Sequence, residues 1–309
     1  MLESFSSERS LDSNSPNLLV YIRRLVILMA IATLFLMALG SATRVMNAGL
    51  SCPDWPLCYG EFVPTEQMNL QVFLEWFHRL VASSLGFASI ILAGSTWWFR
   101  KSLPQWLPWF GLGALILVII QGALGAFTVT ELLRFDIVTA HLGTGLLFFS
   151  TLTVGASALF PYKPDGNSGK LPWFSLVTAI LIYGQSILGG LVASQWALHQ
   201  CLAYSNSLCA VMNNHLLGII PVCLSVLAIG FWCAYSKSID STVKAMGAVA
   251  VVFLFMQVAI GFATYKLHLQ VEPLTVAHQS VGALLLGSMI ILTVLGFRSQ
   301  NHSVSVISS

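Results

Sequence analysis

Charged residues fall in narrow bands along this chain and leave long apolar runs between them. Such runs lie between Arg24 and Arg44, Arg79 and Arg100, Lys101 and Glu131, and Asp136 and Lys163. Two more lie between Lys244 and Lys266 and between Glu272 and Arg298. A membrane span needs roughly 20 apolar residues, and each run is long enough for one. The stretch from Leu171 to Ser236 accommodates two, because its middle, Gln195 to Asn214, is polar. The pattern therefore predicts eight helices over 22–45, 74–98, 107–130, 137–160, 172–194, 213–235, 245–265 and 274–297. Backbone groups in lipid must be satisfied within the segment, which favours helices. The runs are too long and too uniformly apolar for the alternation of barrel strands. The expected fold class is an all-α integral membrane protein, its eight transmembrane helices forming two pseudo-symmetric four-helix bundles.

Composition agrees. The 309 residues are 56% hydrophobic and 8% charged, with mean hydropathy +0.81, whereas soluble domains average about 25% charged residues. A net charge of +2 with scattered basic residues gives no basis for a nucleic-acid role. Ten Lys and Arg side chains, from Arg9 to Arg298, fall on one side of the predicted spans, against Arg44, Arg79, Arg134 and Lys266 on the other. Positive charge concentrates on the cytoplasmic side, so both termini are expected there, and Trp97, Trp98, Trp106, Trp109 and Trp173 form an aromatic belt at the inner helix ends. Residues 1–20 are polar and Ser-rich, lack a signal-peptide core, and carry acidic residues that argue against a transit peptide. They are expected to be a disordered cytoplasmic tail, as are residues 299–309. An N-terminal half over 21–165 and a C-terminal half over 166–298 lie between.

The division into halves comes from four histidines. His78 and His141 are 63 residues apart, as are His215 and His278, and a shift of 137 maps one pair onto the other. Each is expected about one turn inside an even-numbered helix, near its outer end. Ionisable groups inside a membrane are costly and usually functional. A lone intramembrane histidine is as readily a hydrogen-bonded core residue or proton relay. Two matched pairs point to two metal-centred sites, and haem iron is the best candidate; zinc more often recruits Cys, Asp or Glu close by, and only Glu75 qualifies.

A smaller repeat accompanies the histidines. Odd-numbered helices carry Leu36 to Gly40, Gln121 to Gly125, Gln185 to Gly189 and Gln257 to Gly261 in the same register. Glycine lets a backbone or a planar ring approach closely, so a flat ligand wedged between helices is one reading and plain helix packing the other. The shared Gln admits an interhelical hydrogen bond.

The halves differ above this common pattern. Glu75 lies one turn before His78 on the same helix face, and Met212 holds that position in the second half. Arg79 corresponds to Leu216 and Arg44 to Ala193. The first site is therefore expected to do chemistry and the second to hold a resident redox haem. Arg44 and Arg79 are candidates for binding haem propionates, against the alternative of interfacial charges reaching toward headgroups. Glu75 is a candidate proton donor or acceptor, or a stabiliser of a cationic intermediate; the alternative is a partner that orients His78. One outer loop holds Cys52 and Cys58, and another holds Cys201 and Cys209. An oxidising compartment makes disulfides plausible in both, and a redox role for Cys52 and Cys58 stays open. Cys223 and Cys233 read as buried free thiols. His199, His268 and His302 read as loop or tail residues.

Taken together, Glu75-Trp-Phe-His78-Arg79, the Cys52/Cys58 loop, Thr139-Ala-His141, Asn214-His215 and Ala277-His278 resemble the haem A synthase family over nearly all of residues 20–298. The resemblance implies oxidation of the C8 methyl of haem O to a formyl group through hydroxylated intermediates. It implies a haem b cofactor at His215 and His278, substrate haem near His78 and His141, and a catalytic Glu75. The product would serve haem-copper oxidases, with haem O synthase upstream, an electron acceptor the sequence does not identify, and a homo-oligomer as a possible state. A bacterial plasma membrane is the expected location, with the haem sites near its outer face. Two other classes compete. A diheme membrane cytochrome moving electrons from quinol or ascorbate gives no reason for Glu75 and Arg79 to occur in one half only. A duplicated transporter with histidine relays predicts a colourless protein.

Overall fold

The computed structural model describes residues 15–193, 209–267 and 270–307. Among the described residues the helices are α1 (Ser15–Val45), α2 (Leu70–Trp98), α3 (Leu107–Thr130), α4 (Phe135–Leu159), α5 (Leu171–Val192), α6 (Cys209–Tyr235), α7 (Ser241–Lys266) and α8 (Glu272–Ile307). All eight are long and apolar enough to cross a membrane. Among the described residues there is no named strand, and the extended pairing is an isolated bridge between Cys58 and Glu61. The chain is an all-α, multi-pass membrane protein, as its hydrophobic runs predict.

Several boundaries move outward from the sequence expectation, each for a local reason. α1 starts at Ser15 rather than 22, and Leu18 and Leu19 pack against the first core cluster. α2 starts at Leu70 because Asn69 caps it, its side chain accepting the Val72 N–H at 3.0 Å. Asp240 does the same for α7, accepting from Thr242 and Val243. α8 continues to Ile307 through the segment expected to be a tail: Ser299 Oγ donates to Ser168 Oγ at 2.7 Å, and the Gln300 amide donates to the Gly169 carbonyl. The histidines therefore sit deeper than one turn. His78 is eight residues past the start of α2, and the other three are six past the starts of α4, α6 and α8.

α1 packs on α2 and α4, and α3 on both α2 and α4, closing a ring; α5 packs on α6 and α8, and α7 on both α6 and α8, closing a second. α8 also meets α1 and α4, and α4 meets α5, so the seam runs along the most buried helix. One core joins Ile22, Val26, Leu92, Leu107 and Leu152; another joins Val226, Val243, Leu286, Met289 and Leu292. Lipid is as apolar as these side chains, so close van der Waals fit, rather than escape from water, holds the helices together. Small residues allow it at the tightest crossings: a Cβ at Gly247 would meet Cys233 Sγ at 2.8 Å.

The face remote from the histidines is tied by polar contacts. Asp165, in the α4–α5 loop, accepts from Ser241 Oγ at 2.6 Å and Ser241 N at 2.8 Å, while Asp240 accepts the Asp165 N–H at 2.8 Å. Those Ser241 bonds hold the Asp165 carboxyl down at about 2. Arg298 joins α8 to the end of α4, donating to the carbonyls of Ser157 and Phe160 at 2.8 and 2.9 Å.

Candidate functional site

All four histidines are held by one device. The ring edge of each lies against the glycine of the preceding helix. A Cβ would stand 2.9 Å from His78 Cε1 at Gly40, 3.3 Å from His141 Cε1 at Gly125, 3.0 Å from His215 Cε1 at Gly189 and 2.6 Å from His278 Cε1 at Gly261. Contacts below 3.0 Å require something to shift, so glycine is needed at Gly40 and Gly261; at Gly189 and Gly125 a Cβ would press the ring by a few tenths of an ångström. The planar ring that the glycines admit is thus the imidazole itself.

The shared glutamine also meets the histidine. The amide nitrogens of Gln121 and Gln257 lie 3.3 Å from Nε2 of His141 and His278, and that of Gln185 lies 3.1 Å from Nδ1 of His215 while donating to the His215 carbonyl at 2.6 Å. Each glutamine packs in turn over a glycine on the histidine's own helix, Gly145, Gly218 or Gly282. The amide oxygens of Gln121 and Gln257 are buried without partners. Turning either amide would place its oxygen against Nε2 instead, so the same glutamine can hold either tautomer.

These rings suit a haem iron. Among the described residues, Nδ1 of His78, His141 and His278 is buried with no hydrogen-bond partner, and His215 is engaged through Nδ1. Three of the four histidines therefore keep a ring nitrogen that no described protein group uses. Leaving buried polar atoms unpaired is costly, and three of the four rings do so. His78 and His141 are close enough to interact electrostatically, as are His215 and His278. Among the described residues no three His, Cys, Asp or Glu side chains converge as a zinc site requires.

Around His78 the structure adds a second arrangement. Glu75 is 4% exposed. Its Oε2 accepts the Cys52 N–H at 2.8 Å, and its Oε1 pairs with Arg79 Nη2 at 2.5 Å. Arg79 then reaches into the α1–α2 loop, donating to the carbonyls of Asp54 and Leu57 at 2.6 and 2.5 Å, and of Cys52 at 3.3 Å. Cys52 and Cys58 form a disulfide. Asp54 closes the same loop by accepting the N–H groups of Tyr59 and Gly60 at 2.6 and 2.8 Å. Those backbone bonds, Gly60 first, hold its carboxyl below the usual range. Glu75 is therefore fixed from two sides, by a loop amide and by an arginine that also grips the loop.

Arg44 stands apart from this cluster. Its Nη2 donates across the seam to Gln279 Oε1 at 3.5 Å, and Gln279 donates to the Met37 carbonyl at 3.4 Å. An arginine of the first ring thus meets the residue that follows His278. Sequence reasoning missed Gln279, Cys52 N–H and Asp54. Only the i, i+4 spacing of Glu75 and Arg79 signalled any part of the clamp. Cys233 is buried and Cys223 partly so, both as free thiols. Cys201, His199 and His268 lie outside the described residues, as do the side chains of Cys209 and His302.

The fold and the four helix-borne imidazoles define a multi-pass membrane protein with paired intramembrane histidines. Residues 23–290 match the model of the family described as "Cytochrome oxidase assembly protein" (COX15-CtaA), and the chain belongs to that family. It is similar to the heme A synthase of Shewanella oneidensis, 27% identical with 84% of this chain and 91% of the relative covered. Against that of a Chelativorans species the identity is 30%, covering 83% of this chain and 86% of the relative. Against that of Rhizorhabdus wittichii it is 25%, covering 86% and 91%.

Proposed function

We propose that this chain is a haem A synthase, an oxidoreductase that converts haem O to haem A for cytochrome oxidase assembly. The C8 methyl of the substrate becomes a formyl group through hydroxylated intermediates. The observation that carries the reading is a buried carboxylate, Glu75, beside one histidine pair and absent from the other.

Residues 21–165 form the substrate half, with the haem O iron between His78 and His141. Residues 166–298 form the electron-transfer half, where His215 and His278 would hold haem b and haem b would supply one-electron redox chemistry. The unpaired ring nitrogens and the pairwise proximity of the histidines support this assignment. The chain's own residues orient the substrate and handle protons. Each oxidation of the methyl carbon releases protons with its electrons, and Glu75 is the one buried carboxylate beside His78 placed to take them or to stabilise positive charge at the macrocycle. The Cys52 amide and Arg79 keep that carboxylate oriented. With Arg79 engaged by the loop, Arg44 is the better placed arginine for a haem propionate, at the seam beside His278.

The Lys and Arg distribution supports cytoplasmic termini, with both sites toward the outer face of a bacterial plasma membrane. Haem O synthase is the upstream partner, and a separate acceptor takes the electrons. The test is co-expression with haem O synthase followed by pigment extraction and mass analysis. A formyl porphyrin is expected. Recovery of unchanged haem O from a haem-loaded protein would instead support the diheme cytochrome.

A further inference from the structure

Three of the four histidines are held by a glutamine and one is not. Gln121, Gln185 and Gln257 each approach a ring nitrogen of His141, His215 or His278. At the equivalent position of α1 stands Leu36, which has no hydrogen-bonding group. The glycine that seats each glutamine, at 145, 218 or 282, has no counterpart in α2 either: the residue one turn past His78 is Ala82. Among the described residues the His78 ring has no hydrogen-bond partner, and its Nδ1 is buried. Its ring edge rests against Gly40.

We infer that Gln121, Gln185 and Gln257 are positioning residues that keep His141, His215 and His278 in place, and that His78 is the exchangeable ligand of the substrate site. With the amide of Gln121 or Gln257 turned so that its oxygen accepts from Nε2–H, the bond fixes the imidazole and strengthens its other nitrogen as a ligand; Gln185 holds His215 by donating to its Nδ1 and its carbonyl. The absence of such a bond at one ligand out of four makes that ligand the easiest to swing away. The substrate site is thereby built to open on the side that carries Glu75, while the second site stays closed. The inference rests on the haem-ligand reading of the four histidines and adds to it which one yields.

The test is carbon monoxide binding to the reduced, haem-loaded, full-length protein. Carbon monoxide is expected to bind at the substrate site alone. Leu36→Gln combined with Ala82→Gly supplies the missing amide and its seat, and is expected to slow binding there about tenfold, the equivalent of one hydrogen bond. His78→Ala is expected to accelerate binding by at least that factor, and Gln257→Leu to make the second site reactive. A wild-type binding rate in the double variant overturns the inference, as does faster binding in His141→Ala than in His78→Ala. A protein that takes up no haem overturns the functional reading as well, and its absorption spectrum distinguishes that failure from the first.

Discussion

The two histidine pairs are seated alike and furnished differently. In both, a glycine on the preceding helix receives the edge of an imidazole, so the depth and spacing of the rings come from backbone geometry. Above His78 lies a carboxylate clamped by Arg79, a loop amide and a disulfide; at the corresponding positions of α6 stand Met212 and Leu216. The comparison separates holding from reacting. In the proposed function, what the pairs share serves to hold a haem, and what they do not share marks the reacting half.

The sharpest break in that comparison is Glu75→Ala. It is expected to lower turnover by about 10²-fold or more, the scale of general acid–base catalysis, with haem content unchanged. Met212→Ala is expected to leave both unchanged. Single-turnover conversion of haem O, with haem content read alongside, checks the pair. Full turnover in Glu75→Ala removes the catalytic role.

Arg79→Ala strands a buried carboxylate and releases three loop carbonyls. Removing one partner of a buried pair costs about 3–5 kcal/mol, so a lower thermal midpoint and faster reduction of the Cys52–Cys58 disulfide are expected. An undisturbed disulfide and midpoint would show that Arg79 does not hold the loop.

The glycine-to-alanine series probes what the halves share. Overpacking costs about 1–3 kcal/mol, and the closeness of each glycine to its histidine orders the series. Gly261→Ala, at 2.6 Å from its histidine, should displace the ring most; Gly40 at 2.9 Å and Gly189 at 3.0 Å follow, and Gly125 at 3.3 Å should matter least. Retained haem per protein is the readout, and a reversed order would refute the seating argument.

The helical runs, the membrane class, the paired histidines and their companion glycines were legible in the sequence, because each depends on composition or on a repeat in register. The position of Glu75 relative to His78 was legible because both lie on one helix. The clamp was not, because Arg79 acts through carbonyls of a loop whose course depends on a disulfide and on Asp54. The glutamines were visible as a repeat, but their partner emerged only when α3, α5 and α7 came to lie against the next helix. Gln279 was invisible because its contact with Arg44 crosses between the two rings, where no repeat exists to expose it.

Smaller effects sharpen the loop. Losing the disulfide in Cys52→Ser/Cys58→Ser frees a short loop and is expected to cost about 2 kcal/mol, read as a fall in thermal midpoint smaller than that of Arg79→Ala. The least effect is the pH dependence of Asp54. Its carboxyl is depressed in the folded loop, so its contribution is present above the ordinary carboxylate value and is lost as pH falls through the lower, folded one. Protection factors of the Tyr59 and Gly60 amides, corrected for the slower intrinsic exchange in acid, should begin to fall below about pH 4, where an unperturbed Asp titrates, and continue falling through the lower value of the folded loop. Unchanged protection there would show that Asp54 does not order the loop.

In the proposed function each half grips its own haem through its own two histidines. The most direct measurement is haem per protein in the four single His→Ala variants, purified with haem O supplied. His215→Ala and His278→Ala should lose haem b and keep the substrate pigment, whereas His78→Ala and His141→Ala should weaken the substrate site and keep haem b. A colourless parent protein, or four variants with the same pigment content as the parent, contradicts the account.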